Sequence, residues 1–192
     1  MNLASVIHRL ERTNEGQAAK AKIEDYLRVI VPGMKGVSRD SLGAWETLEF
    51  TQEVSGSASP WRFPAQSVSD GTLRALAVLT ALFASTGQVL GPIGIEEPES
   101  ALHPAAAAVL MDALRDASER RQVIVTSHSA DLLDRDDFSV DEILAVRSEG
   151  GETIVGHLDA GGERALRESL YTPGELLRRD QLLPAKLDRT LA

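Results

Sequence analysis

The stretch Gly91-Pro-Ile-Gly-Ile-Glu-Glu-Pro-Glu-Ser-Ala-Leu-His-Pro104 decides how the rest of the chain is read. A short apolar run, Ile93 to Ile95, ends in two adjacent carboxylates, Glu96 and Glu97. Pro98 has no N–H to give to a sheet and stops the strand. Pro104 stands where a helix should begin, a position that tolerates the missing donor. The pattern predicts a buried strand with acids at its C-terminal end, then a tight loop, then a helix. In open α/β sheets that end of a strand is where ligands bind. Paired carboxylates there suit magnesium and the activation of a water.

Working outward, residues 104–119 read as an amphipathic helix with Val109, Leu110, Ala113, Leu114 and Ala117 inward. Gln122 to Thr126 reads as a buried parallel strand, so 93–96, 104–119 and 122–127 make a βαβ unit. Ser127-His128-Ser129 then lies at the C-terminal end of the second strand. Right-handed crossover geometry would bring Glu96, Glu97 and His128 to one sheet edge. Upstream, Val68-Ser69-Asp70-Gly71-Thr72-Leu73-Arg74 opens a long apolar helix running to about Ala84. Ser69 is placed as its N-cap, with Asp70 in the first turn. Two readings stand: an ordinary capped core helix, or an anion site in which Gly71 lets backbone come close to a phosphate.

The remaining segments say less about chemistry. Leu3, Val6, Ile7 and Leu10 predict one helix, and 15–31 a second, with Ile23, Leu27 and Ile30 inward. Residues 45–54 and 61–63 read as a hairpin, and 142–147 with 152–157 as another. Short helices are expected near 164–170 and 176–179. The chain has 192 residues, no cysteine and a net charge of -9. That is enough for one domain with a core, and it excludes a disulfide framework and a thiolate metal site. So acidic a chain is a poor non-specific nucleic-acid binder. No apolar run approaches a membrane span and no signal peptide is visible, so a cytoplasmic protein is expected.

Three strings, Ser69-Asp-Gly-Thr-Leu-Arg74, Ile95-Glu-Glu-Pro-Glu-Ser-Ala-Leu-His-Pro104 and Val125-Thr-Ser-His-Ser129, resemble ordered motifs of ABC-type ATPases. They correspond to the signature motif, the Walker B with its D-loop, and the switch histidine. The wording is similar to the branch related to the OLD, RecF and SMC proteins, and the likeness extends from about Asn2 to Pro184. The resemblance implies an α/β fold: the C-terminal lobe of a P-loop ATPase, mainly parallel sheet flanked by helices, with an added β-hairpin. It implies one lobe over 1–186, parted at 64/65 and 135/136, with a tail over 187–192. It implies magnesium at Glu96, water activation by Glu97 and a γ-phosphate contact by His128. Ser69, Asp70, Gly71 and Arg74 would belong to the signature that binds nucleotide across a dimer, and Ser100 and His103 to the coupling loop.

The chain contains no G-x-x-x-x-G-K-[ST] string, the backbone-and-lysine cradle for the β- and γ-phosphates. Gly33-Met-Lys-Gly36 lacks its spacing and hydroxyl. ATP and magnesium are therefore expected only in a complete protein, of which this chain reads as a C-terminal part that is inactive alone. The expected partners are a second copy in an ATP-dependent homodimer or a complementing ATPase subunit, with nucleic acid reached through the complete protein. Two alternatives are a non-catalytic regulatory or dimerisation module and, ranked last, a metal-dependent hydrolase using Glu96, Glu97 and His128. Bland readings hold elsewhere. Glu99 reads as surface or cap, His8 and His157 as structural, Trp45 and Trp61 as hairpin packing. His103 reads equally as a helix cap, and Arg120, Arg121, Arg178 and Arg179 as surface.

Overall fold

Two polar side chains fix where the first helices begin. The Asn2 carboxamide accepts the Ser5 amide at 2.9 Å, and the Thr13 hydroxyl accepts the Gly16 amide at 3.0 Å. From these caps run α1 (Leu3–Leu10) and α2 (Asn14–Ile30). The computed structural model describes residues 2–43, 45–84 and 91–185. Its contacts part the chain into two units, Met1–Ser127 and His128–Ala192.

In the first unit β1 (Met34–Leu42), β2 (Trp45–Gln52) and β3 (Trp61–Pro64) form an antiparallel sheet with β2 in the middle. The hairpin of β2 and β3 was expected; β1 was not. Its apolar residues Met34 and Val37 are three apart, which breaks strand alternation. A bulge between Met34 and Gly36 absorbs the extra residue, setting Met34 opposite Gln52 and Val37 opposite Phe50. Met34, Val37, Leu48 and Phe50 are then buried together on the sheet face against which α1 and α2 pack. The tryptophans do not pack in the hairpin as expected: Trp45 is 80% exposed and Trp61 53%. Each lies near a strand end, where little covers a large ring; Trp61 donates its indole N–H to Ser57 Oγ at 2.9 Å and lies tilted against the Phe63 ring, with centroids 6.2 Å apart.

The expected βαβ unit is present as β4 (Ile93–Glu96), α4 (Pro104–Ser118) and β5 (Val123–Thr126), with the strands parallel. A mainly parallel sheet is not what forms. Among the described residues β4–β5 is the one parallel pair, and the other two sheets are antiparallel. The two strands are also not fully buried. Ile93, Ile95, Val123 and Val125 are half-buried, whereas Gly94, Glu96, Ile124 and Thr126 are exposed. One face of the pair is covered and the other is open, which replaces the continuous burial of a wide parallel sheet by alternation.

Helix α3 (Asp70–Phe83) joins α2 and α4 to complete this unit's core, where Ile23, Leu27, Leu76, Leu79 and Leu110 lose all solvent contact. A polar cluster also ties the three helices. The Tyr26 ring stacks on Phe83 with centroids 5.6 Å apart, and its O–H donates to Asp116 Oδ2 at 2.9 Å. Lys22 Nζ donates to Asp116 Oδ1 at 2.6 Å and lies 5.0 Å from the centre of the Phe83 ring. Burial, then the bond to Asp116 and the nearby negative charges, push the Tyr26 phenol up to about 12.

The second unit contains α5 (Ala130–Leu133), a 3-10 turn (Val140–Glu142), the hairpin β6 (Ala145–Glu149) and β7 (Glu152–Gly156), then α6 (Ala160–Arg167) and α7 (Pro173–Arg178). Ile143, Ala145 and Leu158 form its small core, with Phe138, Leu166 and Leu182 against them. The string Thr172-Pro-Gly-Glu175 is a helix start. Thr172 and Glu175 cap each other reciprocally, at 3.1 and 2.9 Å, and Pro173 takes the first turn. A side chain on Gly174 would collide with the Ala130 carbonyl and with Asp134, so α5 and α7 cross at backbone contact. Arg178 locks that crossing by bonding Asp134 and Asp131, each at 2.8 Å. No described helix is long and apolar enough to cross a membrane.

The raised Tyr26 phenol has a signed consequence. Its folded pKa lies above the unfolded value near 10, so the folded state binds the proton more tightly. Its contribution is complete below pH ~10 and is lost as pH rises towards ~12. Alkaline absorbance titration should show this phenol ionising late, and Tyr26→Phe should flatten the fall in stability over that window.

Candidate functional site

The acidic loop is built by β4 running one residue past its last strand position. The Glu97 N–H still donates to the Thr126 carbonyl at 2.8 Å. There the backbone turns into the left-handed region, with φ of 43° at Glu97 and 67° at Ala101. Such conformations are uncommon without glycine and persist where surroundings hold them. Five hydrogen bonds do so. The Ser100 and Leu102 amides donate back to the carbonyls of Glu97 and Glu99 at 3.1 and 2.9 Å. Arg74, one turn into α3, donates through Nη2 to the carbonyls of Glu96 and Glu97 at 3.2 and 2.7 Å. Ser100 Oγ donates to Glu97 Oε2 at 3.2 Å, giving that carboxylate an orientation.

The start of α3 meets the same loop. Ser69 caps the helix, its Oγ accepting the Thr72 amide at 3.1 Å and lying 2.9 Å from the Thr72 hydroxyl. Ser69 and Asp70 are exposed, whereas Gly71 and Thr72 are buried and the Thr72 amide is already taken by the cap. Gly71 is buried and faces inward. A Cβ there would stand inside the van der Waals contact of the Ala101 carbonyl oxygen. The glycine is needed so that the loop can lie directly on the helix, whatever approaches from outside.

Within the first unit the structure thus brings together Ser69, Asp70, Gly71, Arg74, Glu96, Glu97 and Ser100. Glu96 is exposed and Glu97 half-buried. His103 is exposed and acts as the N-cap of α4, its Nδ1 accepting the Ala105 amide at 3.2 Å. His128 is exposed and opens the second unit, two residues after β5 ends. Among the described residues no group of three or more histidine or acidic side chains is placed to hold a metal. Two adjacent hard carboxylates fit the way magnesium is commonly held, by one or two protein acids with substrate phosphates completing the shell.

Glu99 is the residue that sequence reasoning misplaced. It is neither surface nor cap but buried, and the Ser127 hydroxyl donates to it. The available signal was topological: once β4 and β5 are parallel and in register, the residues just beyond Glu96 and Thr126 are neighbours.

A family model described as "AAA domain, putative AbiEii toxin, Type IV TA system" matches residues 40–134. That span runs from β1 to the end of α5 and includes every candidate site residue. Among solved structures, one described as structural biochemistry of ATP-driven dimerisation and DNA-stimulated activation of SMC ATPases aligns with TM-score 0.56 at 14% identity. It covers 88% of this chain and 97% of that one. The mixed α/β fold resembles that of an SMC ATPase head. The Smc head from Pyrococcus furiosus, bound to the C-terminal domain of ScpA, aligns with TM-score 0.56 at 14% identity, covering 80% of this chain and 38% of that one. The head from Pyrococcus yayanosii, with coiled coil and joint, gives TM-score 0.55 at 15% identity, covering 80% and 29%. The chain therefore spans well under half of those two longer proteins. No curated protein matches the chain.

The fit of Gly71 against the loop can be measured. Gly71→Ala adds one methyl at a closed backbone contact and should lower stability by about 1–3 kcal/mol, the usual cost of overpacking. Urea unfolding of the two proteins checks this. An unchanged midpoint would mean that the helix and loop are not in contact.

Proposed function

We propose that this chain supplies the signature, the acidic strand end and the coupling loop of an ABC-type ATPase that hydrolyses ATP with magnesium. One observation carries the reading: Arg74, from the signature helix, holds the two carbonyls of the Glu96–Glu97 strand end. The family match over 40–134 and the SMC-head fold support it.

Each residue has a task on this reading. Glu96 would hold magnesium, which when bound neutralises phosphate charge. Glu97, oriented by Ser100, would position and deprotonate a water. Ser69 and Gly71, at the start of α3, would bind the terminal phosphate of a nucleotide held by a second subunit. His128 would contact a γ-phosphate. Ser100 and His103, in the loop packed on Gly71, would pass the state of one site to the other. Phosphoryl transfer depends chiefly on positioning and charge stabilisation, so dividing these groups between two subunits makes hydrolysis wait for closure.

No P-loop string occurs in the 192 residues, so the phosphate cradle must come from outside them. That observation also favours a second reading, a non-catalytic module that pairs with a complete ATPase subunit. Among the structural relatives, the reported ATP-driven dimerisation, DNA-stimulated activation and ScpA binding indicate what partners to try: a second copy, DNA, and a regulatory protein.

The deciding experiment is ATP turnover by the natural full-length protein and its Glu97→Gln variant. Loss of the base should lower kcat by about 100-fold or more while nucleotide affinity stays within a few-fold. Equal turnover by both proteins would remove Glu97 from the mechanism. If the natural protein does not hydrolyse ATP but pairs with a complete ATPase subunit, and Ser69→Arg abolishes that pairing, the second reading holds.

A further inference from the structure

One carboxylate in the first unit is buried and has no part in the roles above. Glu99 is 9% exposed. Its Oε1 accepts the Ser127 hydroxyl, and its Oε2 is buried with no hydrogen-bond partner among the described residues. Burying a carboxylate is costly unless the geometry returns something for it. An acid at this loop could equally have pointed to water.

The return lies in what the bond connects. Glu99 sits two residues beyond Glu97, in the loop that leaves β4. Ser127 is the first residue beyond β5. Their bond joins the two parallel strands one step past the last ladder bond, Glu97 N–H to Thr126 O at 2.8 Å. The loop it anchors has two left-handed residues, Glu97 and Ala101, and so does not hold its shape by backbone preference alone. Arg74 grips the start of the loop and Gly71 lies under its end. Glu99 secures the middle.

We propose that Glu99 is a positioning residue: by taking the Ser127 hydroxyl it clamps the loop over 97–102 to the end of β5 and so fixes the direction of the Glu97 carboxylate. The clamp itself is a property of this chain. Its meaning for turnover rests on the ATPase reading above.

Amide hydrogen exchange on this chain tests the clamp directly. The Ser100 and Leu102 amides, both hydrogen-bonded within the loop, are the reporters, and the Val31 amide at the end of α2 is the internal reference. Ser127→Ala should speed exchange at the reporters by about tenfold or more and leave the reference unchanged. Ser127→Thr, which keeps the hydroxyl, should stay within about twofold of the natural protein. Glu99→Ala should loosen the same amides, and combining it with Ser127→Ala should add little, because both remove one bond. Unchanged reporters in Ser127→Ala, or fully additive effects, would overturn the clamp. If Glu99→Ala does not fold, the Ser127 pair decides alone.

In the full-length protein, Ser127→Ala should lower kcat by about tenfold with KM for ATP little changed, and Ser127→Thr should restore it. Loosened exchange with unaltered kcat would overturn the positioning role. A natural protein without any turnover would instead defeat the ATPase reading, and the exchange result would still judge the clamp.

Discussion

Arg74 places one guanidinium on two consecutive backbone carbonyls, those of Glu96 and Glu97, and the form of the acidic loop depends on that grip. A guanidinium is always charged and presents a rigid fan of donors, so it can hold two acceptors without rearranging. A strand that ends in two adjacent acids has no internal reason to place them reproducibly. The carbonyls must be held before the side chains can point anywhere in particular. Because Arg74 belongs to α3, the same contact fixes where the start of that helix lies relative to the strand end. Gly71 enforces the distance from the other side, since any side chain there would push the Ala101 carbonyl away. Attraction at Arg74 and close contact at Gly71 together define a single docking of loop on helix.

Much of this was legible in the sequence, and the remainder was hidden for identifiable reasons. Helices α1 to α4, the hairpin of β2 and β3 and the parallel pair β4–β5 follow from periodicity and from proline and cap positions. Strand β1 does not, because its bulge sets Met34 and Val37 three apart and erases the alternation by which half-buried strands are found. The burial of β4 and β5 was overestimated because an apolar run four residues long does not reveal how many faces are covered. Ile124 is the telling residue: it reads as core and is 54% exposed. Short helix α5 has a local start signal in its N-cap Ser129, but at four residues it shows no periodicity, and it is held by Gly174 and Arg178 in α7, more than forty residues later.

The candidate site was legible in its residue types and illegible in its wiring. Ser69, Glu96 and Glu97 stand out because each occupies an element end. That Arg74 grips carbonyls rather than an acid, and that Gly71 serves packing, could not be read from spacing. Both interactions involve backbone atoms of a loop whose path depends on two left-handed residues, Glu97 and Ala101. Neither residue is glycine, so composition gave no warning of either turn.

The distribution of ordered groups bears on how such a site would work. Electrostatic catalysis is effective when the groups are fixed in advance and need no rearrangement as charge develops. Here the acids and the helix end are already fixed to each other by contacts internal to the first unit: Arg74 to the carbonyls, Ser100 to Glu97, Ser127 to Glu99. Their relative placement therefore does not need a nucleotide to establish it. On the ATPase reading proposed above, a phosphate cradle would have to be supplied to these groups, since the 192 residues hold no P-loop string. Use of the acids and the helix end would then be conditional on delivery of the phosphates. On that reading control would reside in assembly, in whether a cradle and these groups meet. That arrangement suits an ATPase whose turnover reports on the meeting of two subunits or two lobes.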